Sequence, residues 1–140
     1  MNNISQFKSR TVTVTCTPEE FFRFVTNMRN FGQFIPASAR ESWKATDSEC
    51  SFNISPMGEV ALSIESKTEF SEVLYSGKVL QTTSFRLYTF ITDAGAGMAS
   101  VNLRMDAELN PILKMMASGP IERFLDELSG EMERFRGWTI

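Results

Sequence analysis

The chain contains no histidine among its 140 residues. That absence removes Ser-His-Asp and Cys-His nucleophilic chemistry, and every zinc or iron site that needs an imidazole ligand. Cysteine is almost as scarce. Cys16 and Cys50 stand far apart and form no CxxC pair. They cannot make a thiolate-only zinc site, and they read as reduced, buried thiols of a cytoplasmic protein. A basic excess is missing too. The 14 Lys and Arg against 17 Asp and Glu give a net charge of −3, which offers no basic stripe to nucleic acid and no basic amphipathic face to an anionic membrane. The first residues, MNNISQFKSR, lack the apolar core of a secretory signal. No uncharged run approaches the ~18 residues that a membrane span requires. No metal and no cofactor are expected.

What remains is ordinary globular material, 42% hydrophobic and 22% charged, at a length that suits one domain over residues 1–140. A chain of this size buries roughly two thirds of its unfolded surface and needs no covalent staple.

The most informative stretch is Asn110 to Arg136. Asn110 can cap a helix, and Pro111 suits the first helical position, where its missing N–H costs nothing. Ile121, Phe124, Leu125, Leu128, Met132 and Phe135 then recur at helical spacing, with Glu122, Arg123, Asp126, Glu127, Glu131, Glu133 and Arg134 on the other face. Such a helix is about 40 Å long at about 1.5 Å per residue and needs a broad apolar partner. The centre of the chain supplies strands.

Phe7 to Cys16 is rich in β-branched residues and reads as a first strand. Thr17-Pro18-Glu19-Glu20 opens a helix, with a threonine cap, an early proline and acids in the first turn. A second helical piece covers Arg29 to Phe34. Strands are then expected over Arg40–Thr46, Glu49–Ser55, Glu59–Thr68, Ser71–Val79, Thr82–Thr92 and Met98–Leu109, most of them alternating in hydropathy. Ser55-Pro56-Met57-Gly58 reads as a type I turn, and DAGAG, 93–97, as a hairpin loop rather than a phosphate cradle, since no helix follows it. The strand over Thr82–Thr92 carries aromatics on both faces, as a strand does when it is covered twice or meets a partner. Nothing else in the sequence speaks for an oligomer. This element order predicts an α+β domain with one long helix laid across an antiparallel sheet.

Three stretches then resemble a known superfamily. VTVTCTPEEFFRFVTNMRNFGQFIP, FITDAGAGMASVNLRMDAEL and LNPILKMMASGPIERFLDELSGEMERF are similar, in this order, to the opening strand and helix, the last hairpin and the final helix of START-like, or helix-grip, proteins. These include polyketide cyclase/dehydrase, lipid-transport and carbon monoxide dehydrogenase subunit-G-like branches. The resemblance implies a curved antiparallel sheet of about six to seven strands gripping the C-terminal helix around an apolar cavity, with two short helices after the first strand. It also implies binding or transport of a small hydrophobic molecule, lipid-like or polyketide-like. A cofactor-independent cyclase or dehydratase, or a co-chaperone-like interaction module, are the rival readings, and the lack of histidine weighs against an enzyme.

Site candidates follow from strand parity and from the final helix. Trp43, Phe52, Ile54, Leu62, Ile64, Tyr75, Leu87 and Thr89 are expected on the inner sheet face, with Tyr75 and Thr89 as polar handles for a ligand. Phe31, Phe34 and Ile35 are expected at the lip of the cavity. Met115, Met116 and Gly119 lie where the helix should cross it, beside a kink at Pro120. Methionine suits a pocket that admits varied apolar shapes. Glu41 is the one acid that parity turns inward. Buried there, its carboxyl would hold its proton more tightly and could act as acid or base, with Tyr75 as the other catalytic candidate.

Overall fold

A computed structural model describes residues 4–54, 58–79 and 83–138. The expected turn over Ser55–Met57 lies outside them. Among the described residues, eight strands form one antiparallel sheet, and three α-helices accompany it. In chain order these are β1 (Ile4–Lys8), β2 (Val12–Val14), α1 (Pro18–Val25), α2 (Met28–Phe31), β3 (Lys44–Ala45), β4 (Glu49–Ile54), β5 (Gly58–Thr68), β6 (Glu72–Val79), β7 (Thr83–Gly95), β8 (Met98–Glu108) and α3 (Pro111–Arg134). The sheet order is β1-β8-β7-β6-β5-β4-β3, with β2 also paired to β8, and the sheet does not close. No helix among the described residues is long and apolar enough to cross a membrane.

The single first strand expected over Phe7–Cys16 is two short ones. Ser9 interrupts it: its N–H donates to the Leu103 carbonyl at 2.9 Å, and its hydroxyl accepts from the Leu103 N–H, also at 2.9 Å. A side chain thereby takes one rung of the ladder. The chain bends at Arg10, whose guanidinium reaches over to Glu133 at 3.1 Å and Asp126 at 3.7 Å on α3.

The strand expected over Arg40–Thr46 also fails for most of its length. Ala37–Ser42 is a 3-10 helix that follows Pro36, and only Lys44–Ala45 pairs with β4. The Ser42 hydroxyl accepts from the Asn53 N–H at 2.7 Å, so a side chain stands where a strand backbone would have paired. Elsewhere the alternation holds. Phe52, Val60, Leu62, Val73, Tyr75, Leu87, Ile91, Val101 and Leu103 are all buried, and their neighbours along the strand mostly face water.

The helices start where their sequences say. Thr17 and Glu20 exchange side-chain and backbone bonds in a capping box at 2.9 and 3.1 Å. The Asn110 side chain accepts from the Leu113 N–H at 2.8 Å. Helix α3 runs unbroken through Pro120 and packs chiefly on β1, β2 and β8. Its carboxyl end is held by a cluster of aromatic rings. Phe135 and Trp138 fold back against Phe24 and Phe34, with ring centres 4.8 to 5.8 Å apart. Gly32 is needed where it stands, because a Cβ there would come within 2.7 Å of the Trp43 ring.

Candidate functional site

Ile54 at the end of β4, Val79 at the end of β6 and Leu109 just after β8 come together at one end of the sheet. There, between sheet and helix, lies a small apolar space. Ile54, Val60 and Val79 line it from β4 to β6, Phe85, Met105 and Ala107 from β7 and β8, and Leu109, Ile121 and Phe124 from the approach to α3 and the helix itself. Every one of these side chains is hydrocarbon or thioether. The free volume is about 20 Å³, room for little more than a single water, which an unpolar wall does not hold. The site is built, apolar and, in this conformation, nearly filled by its own side chains.

Of the residues expected to line a cavity, Ile54 does so. Phe52, Leu62, Leu87 and Thr89 lie on the same inner face and are fully or almost fully buried, and Ile64 is half-buried at a bulge in β5. They belong to the packed core, and Phe52 stacks at 5.9 Å on Phe124, which lines the free space. Trp43 is half-buried, its ring 6.0 Å from that of Phe52. Phe34 and Ile35 are not a lip but core, both wholly buried, and Phe31 with them. The reason is the aromatic cluster around Trp138, into which Phe34 is drawn.

Tyr75 and Thr89 are the polar groups of this interior. The Tyr75 hydroxyl donates to the Val25 carbonyl at 2.9 Å, at the last turn of α1, and the ring meets Phe31 edge-on at 5.4 Å. Burial drives the Tyr75 ionisation upward, and Cys50 adds to that. A phenol already spent on a backbone carbonyl, and held in its neutral form, is a structural tie rather than a proton donor to a ligand. Thr89 Oγ1 has no hydrogen-bond partner among the described residues. Glu41 does not point inward. It sits exposed on the 3-10 helix, because the strand whose parity turned it inward does not form there.

Met115 and Met116 are the largest departure. They are 85% and 68% exposed, and Ile112 beside them is 70% exposed. Gly119 is also exposed, with open space beside its Cα. From Pro111 to Gly119 only Ala117 is buried, while Leu113 is half-buried against the core. The front of α3 is thus held to the core by little beyond Ala117 and Leu113. No signal in the sequence separates an apolar residue on the lifted end of a helix from one on its seated end.

The larger concavity, about 830 Å³, is an open trough on the opposite face of the sheet, floored by Ser51, Ala61, Ser63 and Ser76 between Lys44 and Lys78. Its other charges are largely matched, Arg86 to Glu65 at 3.3 Å and Asp106 to Arg104 at 3.2 Å. It is the solvated face of an antiparallel sheet. No group of three or more Cys, Asp or Glu side chains suited to a metal occurs among the described residues.

Neither a family model nor a curated protein sequence matches the chain. Solved structures do match it in shape. XoxI from Bacillus cereus superposes with a TM-score of 0.71 over 93% of this chain and 94% of its own, at 8% identity. Norcoclaurine synthase from Thalictrum flavum gives 0.67 over 96% and 97%, also at 8% identity. A START superfamily protein from Mycobacterium smegmatis gives 0.60 over 94% and 97%, at 14% identity. At such identities the likeness is one of fold. The chain has the START-like, helix-grip fold, with the curved sheet around a long C-terminal helix that its sequence resembles.

Proposed function

We propose that the protein binds a small hydrophobic molecule between its sheet and α3, as a carrier or sensor rather than an enzyme. The observation that supports this is the wholly apolar space between the sheet and α3, which the helix closes with Ile121 and Phe124. A ligand site usually needs about 300 Å³ or more, so binding requires α3 to move away from the sheet and the lining side chains to spread. The mostly exposed first part of α3, Pro111–Gly119, has little packing to lose in such a movement. An all-apolar wall favours a ligand whose buried part carries no hydroxyl or carbonyl, since each such group left unpaired would cost about 1–3 kcal/mol. The exposed Glu41 and the tied Tyr75 supply no acid–base pair, which counts against a cyclase. Two free, buried thiols fit a cytoplasmic protein.

The test is uptake of a dansyl-labelled fatty acid, with native mass spectrometry of protein purified from its own host. Wild-type protein is expected to enhance dansyl fluorescence or to carry a bound molecule. Ala107→Leu, which fills the space, is expected to weaken uptake at least tenfold while staying folded. Absence of both uptake and a co-purified molecule in the wild type would overturn the proposal.

A further inference from the structure

One cross-strand row of the sheet's inner face reads Leu62, Gly77, Phe85, Ala107, from β5 to β8. Phe85 thus stands between a residue with no side chain and one with a single methyl. Its ring leans to the bare side. A Cβ placed on Gly77 would come within 2.5 Å of the ring's Cζ and 2.9 Å of its Cε1. The same Cβ would meet the Ala61 carbonyl oxygen at 2.6 Å, so this position of β6 has no room for a side chain. A glycine inside a strand weakens it, and stands where something approaches the backbone closely; here that is the Phe85 ring. On the other flank Ala107 stays uncovered and lines the free space, which Gly77 does not. Two rings line that space, Phe85 and Phe124. Phe124 is fixed, stacked on Phe52 at 5.9 Å, and Phe52 lies against Trp43 at 6.0 Å. Phe85 has no aromatic partner among the described residues. Its seat is made by an absent side chain, not by interlocked rings.

We infer that Phe85 decides which shape of molecule the apolar space admits: with its ring on Gly77, the space takes a single unbranched hydrocarbon chain and turns away fused rings. This rests on the binding reading above and names the ligand's class and the residue that selects it. The floor left open beside the ring is the Ala107 position of β8, one strand step of about 4.8 Å. Carbon atoms pack about 3.5–4.0 Å apart, so one chain fits that width and a fused-ring skeleton does not. To admit the skeleton, the ring would have to leave Gly77. It has nowhere else to go, since Leu62, Tyr75 and Val79 around that glycine are all buried. Its other small neighbour is Ala107, and a ring turned there closes the space. Gly77 is therefore the resting place that keeps a chain-wide slot open, and Phe85 is the side chain that limits it.

The test compares two fluorescent probes, cis-parinaric acid, a single chain, and dehydroergosterol, a fused-ring sterol. Wild-type protein is expected to bind the chain about tenfold more tightly or better, the discrimination that a change of pocket shape ordinarily gives. Phe85→Ala is expected to remove most of that preference by admitting the sterol, and Phe85→Leu to shift it the same way by a smaller step. Leucine keeps the site apolar and filled, so its ratio decides the matter if the alanine variant does not fold. In the wild type, nuclear Overhauser contacts between the Phe85 ring and the Gly77 α-protons are expected without probe and again with the chain bound. A wild type that binds the sterol as tightly as the chain, folded Phe85 variants with the wild-type ratio, or loss of the Gly77 contacts on chain binding would overturn this inference and leave the binding reading standing. Uptake of neither probe by the wild type would overturn both.

Discussion

Replacing Tyr75 with phenylalanine separates a structural tyrosine from a ligand handle. The ring is wholly buried and edge-on to Phe31 at 5.4 Å, and phenylalanine keeps that packing. What is lost is the 2.9 Å bond to the Val25 carbonyl. Losing a hydrogen bond to a neutral partner costs about 0.5–1.5 kcal/mol, and leaving a buried partner unsatisfied raises this to about 1–3 kcal/mol. The carbonyl belongs to the last turn of α1, where intrahelical donors run out, so the upper range applies and about 2 kcal/mol is expected. With a urea m-value of about 1–3 kcal/mol/M for a protein of this size, the midpoint should fall by roughly 1 M with m unchanged. Urea unfolding followed by tryptophan fluorescence reads this directly, since Trp43 and Trp138 are both at least half-buried. Uptake of a hydrophobic probe by the folded variant should be unchanged, because Tyr75 does not line the apolar space. A Tyr75→Phe protein as stable as the wild type but unable to take up the probe would refute the reasoning and return Tyr75 to the site.

Thr89→Val should be neutral or stabilising by up to about 1–3 kcal/mol in the same assay, since it removes a buried hydroxyl without a partner; a clear loss would mean that the hydroxyl is bonded after all. Leu128→Ala should cost about 2–5 kcal/mol, because Leu128 is wholly buried where α3 meets the sheet; an unchanged melting temperature would mean that the helix is seated on another face. The Cys50 thiol is pushed up to about 12 from 9.0 by burial. Its folded pKa lies above the unfolded one, so its contribution is intact below pH 9 and is lost as pH rises from there toward about 12. Alkaline unfolding should therefore begin later in Cys50→Ala than in wild type, and rapid reaction of native Cys50 with Ellman's reagent at pH 8 would contradict its burial.

Strand alternation carried most of the architecture. Where apolar and polar residues strictly alternate, as from Val101 to Ala107, the structure follows the period and the buried set is the one expected. It fails where a side chain does a backbone's work. Ser9 and Ser42 each take a ladder hydrogen bond, and hydroxyls at such places look, in sequence, like any other strand residue. The Glu41 expectation fell with the second of these, since parity has no meaning outside a strand. The Asp93–Gly97 loop was legible because its chemistry is local. Ala96 and Gly97 both adopt positive φ, +55° and +78°, as a two-residue hairpin turn demands. The residues of the apolar space were mostly missed. Val60, Val79, Phe85, Met105 and Ala107 match their strand neighbours in type, and only their place near one end of the sheet, a three-dimensional fact, sets them apart.

The same gap between pattern and placement explains α3. Its apolar residues form two populations that composition cannot tell apart. From Ile121 onward they are locked, by the sheet on one side and by the Phe24, Phe34, Phe135 and Trp138 rings at the end, while Arg10 clamps the outer surface through Glu133 and Asp126. Before Gly119 most of them stand in water, with Ala117 buried and Leu113 half-buried. Pro120 falls at the boundary. It cannot donate to the Met116 carbonyl, which lies on the exposed stretch, so the helix loses a backbone bond where it passes from seated to lifted. The Ser118 hydroxyl donates to the Lys114 carbonyl one turn earlier, a bond that eases bending of the same segment. Anchorage and mobility are thus divided along one helix. The aromatic end is packed into the core, and the front end is mostly exposed. Restoring the missing bond with Pro120→Ala should stiffen the junction. It should raise the melting temperature slightly and slow probe uptake more than it changes the amount bound at equilibrium. Uptake kinetics identical to wild type would mean that the boundary at Pro120 does not control how the front of α3 lifts.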